Sequence, residues 1–310
     1  MRAYSLLAAA VAIAPVRGHG GLYNYTIDGV DYPGHFPWFP EEGQESVQRR
    51  WWPDPIYQVT HPFLACNRGN PVATGLPKLH APARAGSNVT AYWKSPECPI
   101  DPPAPYPTAA PRPEHGDYEP AMACLGPAYQ WVHFLGPIFV YLADCRGPCD
   151  AWGGSGRRWF KIWETGYSRT GRPETALPTG EEEADLTVNN GRAWRQWELI
   201  RGGFDITIPK DLAPGRYLIR HEVWNLEASW QSFPACAQLE VSGDGDKVPG
   251  DEYLVEFPGA YKEDDPGVWL GGKVWYADYG HKWKRSKSDK IDRTASLYSY
   301  DEWDMGWHVF

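Results

Sequence analysis

The chain predicts an all-β fold: an antiparallel β-sandwich with long loops, a proline-rich insertion and a C-terminal extension. Three observations carry the prediction. Short stretches rich in β-branched and aromatic residues recur between Gly, Pro, Asn and Asp turn signals. No segment sustains the 3.6-residue apolar period of a helix. Six cysteines follow an apolar leader, a usage that fits an oxidising compartment.

The leader comes first. Met1-Arg2, the apolar run Leu6 to Ala14 and the small-residue end Pro15-Val16-Arg17-Gly18 read as a secretory signal peptide over residues 1–18. Cleavage after Gly18 makes His19 the first residue of a chain of 292 residues, enough for one large β domain or a domain plus an extension. An N-terminal histidine can chelate one metal ion through its α-amine and Nδ1. With a second imidazole the ion gains three nitrogens, the donor set that suits copper.

Composition narrows the partners. Net charge is −9, and losing Arg2 and Arg17 with the leader makes it −11. Such an acidic chain is a poor ligand for nucleic acid. The leader is too short to span a bilayer, and no later stretch approaches 18 consecutive apolar residues, so no membrane anchor is expected. Asn24-Tyr25-Thr26 and Asn88-Val89-Thr90 are N-glycosylation acceptors, in keeping with a secreted, extracellular protein.

Residues 19–34 alternate polar with aromatic or β-branched side chains around Asp28-Gly29, which predicts a strand and a hairpin turn. Residues 35–58 are rich in Pro, Trp and charge and read as a long surface loop. Cys66 is expected at a strand end, and residues 86–93 as a further strand. Residues 95–128 are dominated by Pro and Ala and cannot enter a central sheet. They read as an insertion closed by its own disulfide, Cys98 with Cys124. Residues 136–143 are a buried strand, and Cys145 and Cys149 flank a Gly-Pro turn suited to a small disulfide loop, a metal pair being the other option. Residues 159–164 alternate as a strand, and 166–191 are polar and loop-like. Residues 204–209 and 215–223 read as two strands joined by a Pro-Gly turn, and 236–241 as the last strand. His221 lies on a strand and reads as a satisfied structural histidine. Residues 269–310 form an aromatic tail with a solvated basic run, Lys282 to Lys290, and little stable structure is expected there.

With these stretches in view, the chain resembles the fungal lytic polysaccharide monooxygenases of auxiliary activity family 9, formerly family 61 of the glycoside hydrolases. The resemblance rests on His19-Gly20, residues 65–69, 136–143 with Cys145, 159–162, 206–209, 212–217, 219–222, 233–236 and 258–262 with 265–267. It covers residues 19–268 apart from the insertion. It implies an immunoglobulin-like sandwich with a flat copper face, and the disulfides Cys66–Cys236 and Cys145–Cys149, which leaves Cys98 and Cys124.

The resemblance also implies a site. One copper is held by His19, through its amine and Nδ1, and by a second histidine before the Gly-Pro strand. His133 is that candidate, although two residues separate it from Gly136-Pro137 where the family usually has one; a bulge could absorb the difference, and His115 is the substitute. The family's axial tyrosine falls at Phe233, which cannot ligate, although some related monooxygenases use phenylalanine there. Its outer-sphere glutamine matches Gln231. Its outer-sphere histidine falls at Glu227, whose carboxylate can still exchange a proton. The implied chemistry is oxidative cleavage of cellulose or another β-1,4-glucan, with O2 or H2O2 as co-substrate and an external electron donor, a small reductant or a redox enzyme. A monomer is expected. Tyr23, Tyr25 and the aromatics of residues 35–57 are candidates for the sugar-facing surface. Two other readings stand beside this one: a non-catalytic copper- or carbohydrate-binding protein on the same fold, and an extracellular structural or interaction module. Copper binding with reductant-dependent peroxide production separates them.

Overall fold

The computed structural model describes residues 19–37, 44–67, 76–95, 129–133, 136–166, 195–200, 202–226 and 230–262. The leader, most of the 95–128 insertion with Cys98, Cys124 and His115, most of the 166–191 loop, Glu227 and the 269–310 tail lie outside these residues. The prediction of a β-sandwich holds: two five-stranded sheets stack face to face.

In the first sheet β1 (Gly21–Ile27) turns at Asp28-Gly29 into β2 (Val30–Pro33). Asp28 and Gly29 both adopt positive φ, the geometry a two-residue hairpin demands. β1 pairs on its other side with β4 (Asn88–Ser95), which pairs in turn with β5 (Tyr129–Gln130) and β8 (Phe204–Thr207). Ser95 lies opposite Tyr129. The proline-rich insertion therefore leaves and re-enters the sheet at neighbouring points.

The second sheet runs β3 (Ala81–Arg84), β10 (Gln231–Ser242), β9 (Gly215–Asn225), β6 (Ile138–Asp144) and β7 (Trp159–Thr165). β3 is not evident in the sequence because Pro82 argues against a strand. It lies at the sheet edge, where a missing N–H is tolerated, and pairs parallel to β10. β8 and β9 lie in different sheets, so the Pro-Gly connection crosses the sandwich rather than closing a hairpin. Cys66 stands on a turn over residues 62–66, not at a strand end.

Between the sheets lies a core that includes Leu22, Ile27, Val89, Trp93, Ile138, Val140, Ile219, Val223 and Phe233. A second apolar cluster covers the outer face of the second sheet and includes Leu64, Phe139, Tyr141, Trp159, Trp224, Phe257 and Tyr261. This corrects two expectations. The stretch through residues 44–58 is not a surface loop: Val47, Trp51, Trp52 and Ile56 are buried, and Gln48 and Ile56 make bridges to Ala237 and Ser232 of β10. β7 does not alternate either, because both its faces are covered and even Lys161 is buried, paired with Glu164 at 2.9 Å.

The disulfides Cys66–Cys236 and Cys145–Cys149 are both formed. The first ties the 44–67 segment to β10. Nearby, the Arg220 guanidinium donates to the carbonyls of Leu64 and Ala65 and pairs with Glu222. His221 is buried as expected but is not satisfied: neither ring nitrogen has a hydrogen-bond partner, and its ring meets the Tyr25 ring edge-on at 5.4 Å. Burial pushes its pKa down to about 3.

Candidate metal centre

One end of the sandwich gathers the residues that matter. There Gly21 lies opposite Lys94, Lys94 opposite Gln130, Ile138 opposite Val223 and Gln231 opposite Asn225. The segments carrying His19 and His133 are thus brought together although they are 114 positions apart in the sequence.

His19 directly precedes β1 and is 22% exposed at its side chain. The two glycines that follow set its position by close approach. A Cβ on Gly20 would stand 2.6 Å from the Lys94 carbonyl oxygen, and one on Gly21 would stand 2.5 Å from the Trp51 ring. Only glycine lets this strand slide so far under its neighbours. Nδ1 of His19 lies 3.3 Å from Oδ1 of Asp54, while the Trp52 indole N–H donates to Oδ2 of the same carboxylate at 3.3 Å. Asp54 has no periodic signal in the sequence, so it could be found only in the fold.

His133 follows β5 and is 7% exposed. It meets the Phe233 ring at 5.5 Å, and His19 meets that ring at 6.4 Å. Phe233 is 1% exposed, in the part of β10 that faces the core. The two candidate ligands therefore flank one phenyl ring, and that ring offers carbon where a tyrosine would offer oxygen. Trp131 closes the group, edge-on to both His133 (5.2 Å) and Phe233 (5.1 Å). Gln231 opens β10 with its Oε1 accepting from the Asn225 amide at 2.7 Å. Phe134, Leu135 and Glu227 lie outside the described residues.

The donor chemistry fits copper. Two imidazoles stand on one ring at a partly exposed edge, and in a chain that begins at His19 the free α-amine would add a third nitrogen. No three His, Cys, Asp or Glu side chains come together to hold a metal among the described residues. A site here depends on that amine, which separates it from the all-side-chain sites typical of structural zinc.

The surface candidates divide. Tyr25, Trp51 and Trp52 are buried and face no sugar. Tyr57 is 42% exposed, and Tyr23 is half-buried under the Lys94 ammonium, 4.2 Å from its ring centre. Both acceptor asparagines lie on strands. Asn24 donates to Asp31 at 3.2 Å, whereas Asn88 is exposed at the start of β4.

Comparison with known proteins agrees with this architecture. The family model described as Auxiliary Activity family 9 (formerly GH61) matches residues 19–279. Lytic polysaccharide monooxygenase B of Heterobasidion irregulare is 33% identical over 267 residues, 85% of this chain and 88% of its own. Lytic polysaccharide monooxygenase D of Thermothelomyces thermophilus is 32% identical over 257 residues, 81% of this chain and 80% of its own. The crystal structure of HiLPMO9B superposes with a TM-score of 0.58 at 31% identity, covering 81% of this chain and 90% of that one. A polysaccharide monooxygenase from M. thermophila, described as cellulose-active, gives 0.57 at 30% identity with the same coverage.

Proposed function

The chain belongs to auxiliary activity family 9, the copper-dependent polysaccharide monooxygenases, and from that premise we propose that it is a secreted enzyme cleaving cellulose or another β-1,4-glucan, with His19 and His133 as its copper ligands. Membership makes the chain an oxidative enzyme, which sets aside the non-catalytic binding protein and the interaction module. The observation that supports this ligand pair is the shared phenyl ring, with His19 and His133 on Phe233 at 6.4 and 5.5 Å. The relative described as cellulose-active supports the substrate class.

Copper, when bound, supplies the one-electron chemistry that activates O2 or H2O2 with an electron from an external donor. The chain's own groups have the other tasks. Asp54 holds the His19 ring through Nδ1 before metal arrives. Phe233 would present carbon, and no oxygen donor, to a metal held by the two imidazoles that flank its ring. Gln231, its carbonyl engaged by Asn225, would keep its amide N–H groups available to donate at that edge of the sandwich. Glu227 is the proton-exchanging group in place of the family's histidine. In the same reading residues 1–18 are removed, 19–268 are the catalytic sandwich with a third disulfide Cys98–Cys124, 269–310 are a tail, Asn88 and Asn24 carry glycans, and the enzyme works as a monomer.

The test is titration of Cu(II) into protein processed to begin at His19, beside His133→Ala, followed by electron paramagnetic resonance. One tight, nitrogen-rich tetragonal site in the wild type, lost in the variant, is the expected result. An unchanged variant would overturn the His133 assignment. Oxidised oligosaccharides released from cellulose in the presence of reductant then test the substrate.

A further inference from the structure

In the sequence His133 stands one position further from Gly136-Pro137 than the family's second histidine usually does. Among the described residues one side chain touches residues on both sides of His133: Gln196, fully buried in the short 3₁₀ turn Arg195–Ile200. Its Nε2 donates to the carbonyl of Gly136 at 3.1 Å and to the carbonyl of Trp224 at 2.6 Å. Its Oε1 accepts from the Trp131 indole at 3.4 Å.

One amide thus binds the residue two before His133, the residue three after it, and the end of β9. Both N–H groups and the carbonyl are used, which is the condition for burying an amide. The contacts lead directly to the candidate ligand, because Trp131 stands edge-on to His133 at 5.2 Å and to Phe233 at 5.1 Å. The far end is equally constrained. Gly136 has φ +143°, and a Cβ there would lie 1.9 Å from the Trp224 carbonyl oxygen that Gln196 holds. The Trp224 N–H also donates to Pro137 at 3.0 Å.

We propose that Gln196 is a positioning residue for the metal centre: it fixes Trp131 and Gly136 on either side of His133 and so sets where that imidazole is presented. The proposal rests on His133 being a ligand. Hydrogen bonds one shell out from a metal tune its affinity by about ten- to a hundredfold when removed, and Gln196 acts one contact further along the same chain.

The experiment compares wild type, Gln196→Met, Trp131→Phe and His133→Ala, all processed to begin at His19. Calorimetric Cu(II) titration, the Cu(II) paramagnetic resonance spectrum and the melting temperature of the copper-free form are read for each. Gln196→Met keeps the volume and removes all three hydrogen bonds. It should weaken Cu(II) by about tenfold and change the spectrum, in protein that still melts cooperatively. Trp131→Phe keeps a ring against His133 and removes one hydrogen bond, and should change the spectrum in the same direction by less. Wild-type affinity and spectrum in Gln196→Met, with loss of copper in His133→Ala, overturn the proposal and leave the ligand assignment standing. If Gln196→Met does not fold, a wild-type spectrum in Trp131→Phe overturns it. An unchanged His133→Ala overturns the ligand assignment and the proposal together.

Discussion

The guanidinium of Arg220 donates to the carboxylate of Glu222 at 2.6 Å, and neither side chain has any exposed surface. Both project from β9 onto the outer face of the second sheet. Burial alone would lower the Arg220 pKa, but the Glu222 carboxylate outweighs it and holds the guanidinium above its ordinary value. Glu222 also accepts from Ser232 and from the Tyr261 hydroxyl. The network pins the 44–67 segment, and with it Asp54, to the sheet.

Removing one partner of such a pair leaves the other charge buried without compensation. Glu222→Gln should therefore cost about 3–5 kcal/mol of stability, measured by urea unfolding. A loss below about 1 kcal/mol would mean that the pair is worth no more than an exposed one.

His221 makes stability depend on acid. Its imidazole is neutral in the fold because burial depresses its pKa from 6.5 to about 3. Between those values the unfolded chain takes up a proton that the folded chain does not. The contribution is complete above pH 6.5 and is lost as pH falls toward 3. Wild type should lose about 1.4 kcal/mol per pH unit more than His221→Leu across that window. His35, lowered to about 4 by burial and by Arg50, titrates in the same direction in both proteins. Parallel stability curves for the two proteins would place the His221 proton elsewhere.

Phe233→Tyr places a phenolic oxygen on the ring that His19 and His133 flank. With two candidate ligands on its ring, the added hydroxyl should alter the Cu(II) resonance and visible spectra while one copper is still bound per chain. If the hydroxyl finds no partner it should cost about 1–3 kcal/mol of stability. A spectrum identical to wild type would show that the ring edge points away from the metal.

Much of this protein was legible residue by residue. The hairpin at Asp28-Gly29, the apolar run that becomes β6 and the strands β7 to β10 follow from period and turn chemistry, which act over a few positions. His19, Gln231 and Phe233 could be named as candidates because each stands at a fixed offset from a local motif. The errors have one cause. Residues 44–58 look like a solvent-facing loop because they have no period, yet Trp51 and Trp52 are buried. β3 carries a proline, and β8 and β9 look like a hairpin although they lie in opposite sheets.

By itself the sequence determined the all-β class, the family and the residue types available for a metal. Only the tertiary structure brought His19 and His133 onto one phenyl ring, set Asp54 beside His19, and gathered Gly136, Trp131 and Trp224 around Gln196. The reason is that strand pairing and turns are written in neighbouring residues. The candidate metal centre at the end of the sandwich draws on several separate chain segments, and which of their side chains meet is decided by sheet order, by register and by how closely glycine lets two backbones approach.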